Sequence, residues 1–107
     1  MPFEIFNTES GQFAFRLKAA NGQIILASQT YEGRSGAETG VISVIENAAE
    51  DNFEKLTAKD GSPYFNLKAG NGQVVGKSQM YNSESARDNG IQSVITNAAE
   101  KVINDIT

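Results

Sequence analysis

The stretch "LKAANGQIILASQTY", beginning at Leu17, returns fifty residues later as "LKAGNGQVVGKSQMY", beginning at Leu67. Residues 11–50 align with 61–100 without a gap, and 20 of the 40 positions are identical. A repeat this regular means tandem duplication of one structural unit. It constrains the fold because 107 residues suit one ordinary core, whereas two separate cores of about 50 residues would each be marginal. The copies must share a core. We therefore expect a single domain over 1–107, with repeat 1 at about 1–50, repeat 2 at about 51–100 and a closing strand at 101–107.

Within each unit the Asn-Gly pairs, Asn21-Gly22 and Asn71-Gly72, suit the positive φ angles of a two-residue type I′ hairpin turn. The register that follows sets Ala19 against Ile24, Leu17 against Leu26 and Phe15 against Ser28 on one face. Arg16, Lys18, Ile25 and Ala27 then point to the other face, with Asn66, Lys68, Val75 and Lys77 in the second copy. One side reads as core and the other as solvated. A further extended run precedes each hairpin and ends at a turn centred on Ser10-Gly11 or Asp60-Gly61. Each copy thus opens with a three-stranded meander.

After the hairpin the spacing becomes helical, with Val41, Val44, Ile45 and Ala48 on one stripe and Ile91, Val94, Ile95 and Ala98 matching them. Ser35 with Glu38 has the spacing of a capping box, and Ser85 with Asp88 is a weaker version. Gly40 and Gly90 stand inside these segments, where they either kink the helix or end a first turn. The tail "KVINDIT" aligns Ile103 with Phe53 and Ile106 with Leu56, which predicts a seventh strand. Strands are expected near 2–8, 12–20, 23–29, 52–58, 62–70, 73–79 and 102–106, with helices near 34–49 and 84–100. The fold class is α+β: two β-β-β-α-β repeats in one mainly antiparallel sheet, with helices on one face.

The pattern "FxLKAxNGQ", then "SQxY", then "GIxSVxxNA", read twice over nearly the whole chain, resembles the YegP-like family of small bacterial proteins, a domain of unknown function. Only "GVISV" in the first copy departs from it. The resemblance implies two units joined in one sheet that exchange their terminal strands. It implies no activity.

Composition excludes more than it suggests. The chain has no cysteine and no histidine, which removes disulfides, thiol nucleophiles, imidazole bases and the usual zinc ligand sets. No cofactor or metal is expected. A net charge of -4 gives no overall pull toward nucleic acid or anionic membrane. The longest apolar runs, such as "IIL", fall far short of the roughly 20 residues of a membrane span. The start "MPFEIFNTES" has neither the basic opening nor the apolar centre of a secretion signal, so a cytoplasmic monomer is expected.

Four sets of residues invite a functional reading. The Asn-Gly-Gln loops lack the lysine-serine sequence and helix start of a phosphate loop and read as turns. Ser28 and Ser78, on the covered face, need hydrogen-bond partners; a backbone bond at the strand exit, with Tyr31 and Tyr81 anchored on the core, supplies a structural account. Ser43, Asn47 and Glu50 recur as Ser93, Asn97 and Glu100, either a solvated stripe with local bonds or a docking surface presented twice. On the outer sheet face Arg16, Lys18, Lys68 and Lys77 stand with Tyr64 and Asn66. That set is either an ordinary wet face or a platform for an anionic ligand or single-stranded nucleic acid. No motif carries a catalytic mechanism. The expectation is a small non-enzymatic interaction or binding module with an unidentified protein as its candidate partner, and the alternative is an anionic-ligand or single-stranded nucleic-acid binder.

Overall fold

The computed structural model describes residues 3–107, so the expected start of the first strand at Pro2 lies outside the described residues. Repeat 1 contributes strands β1 (Phe3–Asn7), β2 (Phe13–Lys18) and β3 (Ile24–Ala27) and helix α1 (Arg34–Asn47). A single 3-10 turn (Glu50–Asn52) leads into β4 (Phe53–Thr57), β5 (Pro63–Lys68), β6 (Val74–Lys77), α2 (Glu84–Ala98) and β7 (Ile103–Asp105). The seven strands form one sheet in the order β4-β5-β6-β3-β2-β1-β7. All neighbours are antiparallel except β1 and β7, which run parallel with Phe3 opposite Ile103 and Ile5 opposite Asp105. The closing strand of repeat 2 is therefore donated to the opening strand of repeat 1.

The halves join where β3 meets β6, at Ala27 opposite Lys77. Both helices cross this joint: α1 packs over β1, β2, β5 and β6, and α2 over β2, β3 and β5. The shared core contains Phe3, Phe15, Leu17, Leu26, Val41 and Val44 from the first copy and Phe65, Leu67, Ile91 and Val94 from the second, all buried. Phe15 and Phe65 stack on Tyr31 and Tyr81 at ring separations of 6.5 and 6.2 Å. Neither half encloses this core by itself.

The hairpin tips differ from the expected type I′ turn. The Gly22 N–H donates to the Ala19 carbonyl and the Ala19 N–H to the Gln23 carbonyl, both at 2.9 Å. Only Gly22 is left-handed, at φ +85°, and Asn21 is not among the residues of positive φ. The loop is thus a type I turn closed by a glycine bulge. Asn21 stabilises it by accepting the Gln23 N–H on its Oδ1 at 3.0 Å. The same bonding closes the tips at Gly11, Gly61 and Gly72.

The glycine bulge shifts the register by one residue, and a second bulge restores it. Lys18 lies opposite Ile24, while Leu17 remains opposite Leu26 as expected, so Ile25 is the extra residue. Both bulge side chains turn inward. Ile25 is accordingly buried at 4% exposure, and Ile24 is exposed at 42%. This reverses the sequence expectation for that pair, and Val74 and Val75 follow in the second copy.

The helix starts also differ. Gly33 precedes α1 with no side-chain cap, and α2 is capped by Ser83, whose hydroxyl accepts the Ala86 N–H at 3.1 Å. Ser35 and Ser85 each stand two residues past the N-cap position, too far into the helix to cap it. Gly40 and Gly90 do not end a first turn, since both helices run through them. They are glycine because a Cβ would stand 2.6 Å from Phe15 at one and 2.2 Å from the Tyr81 hydroxyl at the other.

Candidate functional site

The outer sheet face gathers the predicted cations and pairs three of the four with carboxylates. The Arg16 guanidinium donates to Glu4 at 2.7 Å and Lys18 to the same carboxylate at 3.3 Å. Arg16, and less strongly Lys18, hold the Glu4 carboxyl below its ordinary range against the opposing effect of burial. In the second copy Lys68 pairs with Glu54 at 3.2 Å. Arg16 also lies over the Phe6 ring and Lys77 over the Tyr64 ring, at 4.3 and 5.1 Å. Asn66 replaces Arg16 in the second copy, and its Oδ1 is buried with no partner. Sequence reasoning missed Glu4 and Glu54, whose position opposite Arg16 and Asn66 follows only from the β1–β2 and β4–β5 registers.

The helix stripe separates. The Asn47 and Asn97 amides donate back to the Ser43 and Ser93 carbonyls at 2.8 Å. Glu50 lies in the 3-10 turn beyond α1, and Glu100 lies past the end of α2. The strand-exit serines are satisfied locally: Ser28 Oγ accepts the Phe15 N–H at 2.9 Å and donates to the Gln29 carbonyl, and Ser78 does the same with Phe65 and Gln79.

A different grouping emerges across the repeat boundary. The tip of the first hairpin sits beside α2, and between them lies a cleft of about 270 Å³ lined by Asn21, Gln23, Gln79, Tyr81, Asn89 and Ser93, among others. The tip of the second hairpin sits beside α1 over a cleft of about 290 Å³ that includes Asn71, Gln73, Gln29, Tyr31, Thr39 and Ser43. Each of the ten residues lining the first cleft has its counterpart, fifty positions away, in the second. Seven of those ten pairs are identical, against 20 of 40 for the repeat as a whole. The Asn-Gly-Gln, Ser-Gln-x-Tyr and Gly-x-x-Ser motifs, distant within one copy, meet between copies.

The clefts are polar without being charged, since no Asp, Glu, Lys or Arg lines either one. In the first, the Tyr81 hydroxyl is buried and has no hydrogen-bond partner among the described residues. Burial pushes the Tyr31 and Tyr81 phenols above their usual pKa, with nearby Gln29 and Gln79 partly offsetting it. Both phenols stay neutral donors at physiological pH. Among the described residues no group of acidic side chains is placed to hold a metal ion, and no helix is long and apolar enough to cross a membrane.

The duplicated unit also fixes what the chain is related to. Two successive copies of a domain described as "Domain of unknown function (DUF1508)" match residues 9–54 and 58–105. The chain belongs to the DUF1508 family. The solved structure of a UPF0339 protein from Shewanella oneidensis superposes with a TM-score of 0.92 at 49% identity, covering 98% of this chain and 90% of that one. YegP from Escherichia coli superposes equally well at 44% identity, covering 98% and 91%. The resemblance drawn from the motifs is thus confirmed, and these DUF1508 relatives carry no stated activity. Among curated relatives, a UPF0339 protein of Stutzerimonas stutzeri is 57% identical over 49 residues, 46% of this chain and 44% of its own. The chain thus matches about half the length of that relative. A Treponema denticola UPF0339 protein is 44% identical over 48 residues, which is 45% of this chain but 83% of its own. That protein is little longer than one DUF1508 repeat.

Proposed function

We propose that this protein is a non-enzymatic binding module, monomeric in the cytoplasm, that takes two equivalents of an uncharged, hydrogen-bonding ligand in its paired clefts. One observation carries the reading. Residues more often identical between the copies than the repeat as a whole converge from different copies, and what they line is neutral, rich in amide and hydroxyl groups, and doubled. Amide groups of Asn and Gln supply both donors and acceptors, and clefts with a few convergent polar groups on apolar walls are the usual form of small-ligand sites. Ala19, Ile25 and the tyrosine ring provide such walls in the first cleft.

Amide-shift screening of the isotopically labelled protein against uncharged saccharides, carboxamides and neutral dipeptides tests this. A ligand of the stated class should move residues of both clefts together, saturate at two equivalents and lose both effects in the Gln29→Ala, Gln79→Ala double variant. Failure of every uncharged compound to move either cleft would remove the reading.

A second reading, the anionic-ligand platform, retains one supporting observation: four cations share the outer face with two carboxylates, and Lys77 lies over Tyr64. It requires salt-sensitive binding of single-stranded oligonucleotides that Lys18→Glu with Lys68→Glu abolishes.

A further inference from the structure

The duplication leaves the two edges of the sheet unequal. Strands β1 and β4 are the same strand of successive repeats and keep the same register on their inner neighbours, Phe3 opposite Leu17 and Phe53 opposite Leu67. The outward side of β1 is covered by β7: the Phe3 N–H donates to the Val102 carbonyl at 3.1 Å, and the Ile106 N–H donates to the Ile5 carbonyl at 2.9 Å. Among the described residues no strand lies beside the outward side of β4. Only its first group is used, the Phe53 N–H donating to the Glu50 carbonyl. The 3-10 turn thus takes the place that Val102 holds on β1. The backbone groups of Lys55, equivalent to Ile5, remain free for a neighbour.

The flank of the open edge is built like its covered counterpart but carries opposite charge. Beside β7, Arg34 in the first turn of α1 forms an ion pair with Asp105. The residue equivalent to Arg34 is Glu84, in the first turn of α2, and it makes no ion pair among the described residues. Between β4 and α2 runs a groove of about 350 Å³ whose walls include Glu50, Asp88 and Gln92. Ile5 is fully buried, whereas Lys55 is about half exposed and reaches Asp88 at 3.3 Å.

We propose that the β4 edge receives an extended peptide segment of another protein, parallel to the strand, bearing a lysine or arginine where β7 bears Asp105. Strand addition at an open edge draws affinity from main-chain bonds and selectivity from alternate side chains. Here Glu84 is the selective group, because Lys55, which would lie opposite the peptide's basic residue in the register of Ile5 and Asp105, is already paired with Asp88. A second copy of this chain is the wrong occupant on two counts. Its β7 would set Asp105 against Glu84, and two β4 strands paired about a two-fold axis would bring together their central Lys55 side chains, a common guard against edge association.

The test uses the labelled full-length protein and two peptides with blocked ends. Both copy residues 101–107, one as it stands and one with Asp105→Lys. The lysine peptide should shift the amides of Lys55, Thr57 and the first turn of α2, with β1 and β7 unmoved. It should bind about fivefold more tightly than the parent peptide, the scale of one exposed ion pair in place of a like-charge contact. In the Glu84→Arg protein the preference should reverse. Equal affinities, a preference unchanged by Glu84→Arg, no shift on β4 at millimolar peptide, or dimerisation through β4 seen by light scattering would each overturn the proposal. None bears on the clefts: the first shares α2 and Asn89 with this groove but faces the first hairpin, and neither Lys55 nor Glu84 lines either cleft.

Discussion

Leu26 and Gly76 occupy the same position of the two repeats and meet at the centre of the sheet, where a Cβ added to Gly76 would stand 2.6 Å from the Leu26 Cγ. A symmetric assembly would bring two identical side chains to this point. Duplication removed that constraint, because one copy could keep leucine while the other became glycine. Gly76→Val should therefore cost about 1–3 kcal/mol through overpacking. In a Leu26→Ala background the same change should cost much less, and denaturant melts of the four-member cycle would show this as coupling between the two sites. Additive effects would mean that the leucine and glycine do not share the space.

The helix glycines answer to a similar contact. Alanine normally stabilises a helix interior by about 1 kcal/mol relative to glycine, yet Gly90→Ala must displace the Tyr81 hydroxyl and ring, 2.2 and 2.7 Å from the new Cβ. Overpacking should outweigh propensity, with a net loss of about 1–2 kcal/mol. Tyr81→Phe should be neutral or stabilising by itself, since that hydroxyl is buried and unpartnered. It should also recover part of the Gly90→Ala loss. A gain in melting temperature for Gly90→Ala alone would contradict the packing described.

The closing strand should respond to acid. The Thr107 hydroxyl and N–H, followed by Arg34, hold the Asp105 carboxyl down at about 2. A carboxyl depressed in the folded state contributes stability above its unfolded pKa of about 4, and that contribution is lost as pH falls through the folded value. The protection of the Ile106 N–H, which bonds β1, measured against an unstructured amide at the same pH, should therefore fall between about pH 4 and pH 2. Asp105→Asn should remove that dependence. A carboxyl titration midpoint near 4 would show that Arg34 and Thr107 do not hold the side chain.

The elements were legible in the sequence because the repeat supplied two readings of each, and helical and alternating spacing rarely err together. Ile24 and Ile25 were misplaced for a local reason. A type I′ turn and a type I turn with a glycine bulge both demand glycine at position 22, and they differ in the backbone of Ala20 and Asn21, for which side-chain identity is a weak guide. The capping-box spacing does not mark Ser83, which has Ala86 and no acidic residue three positions on. The clefts were illegible for a deeper reason: Gln23 and Gln79 reach one cleft only because β3 of one repeat pairs antiparallel with β6 of the other. The ion pairs of Glu4 and Glu54 were hidden similarly, in a strand register that alternation alone does not specify.

The last prediction concerns the single unit. Residues 1–59 contain β1 to β3, α1 and β4, and in this fragment β4 follows the helix as β7 does in the whole chain. It can then lie parallel to β1 of a second fragment, with Phe53 in the place of Ile103, giving a two-fold dimer with a continuous sheet. The Treponema denticola relative, little longer than one repeat, shows that a chain of this length occurs naturally. The fragment has one handicap that the intact chain lacks: its dimer brings two Leu26 side chains to the point where the protein fits one leucine against Gly76. Wild-type 1–59 should thus dimerise weakly, and Leu26→Gly should tighten the dimer, although glycine within a strand normally weakens it. The intact chain, with that joint closed internally, should remain monomeric. Light scattering across a concentration series decides this. A folded monomeric fragment, or a Leu26→Gly fragment that associates less than its parent, would show that the two repeats do not meet as a former dimer interface.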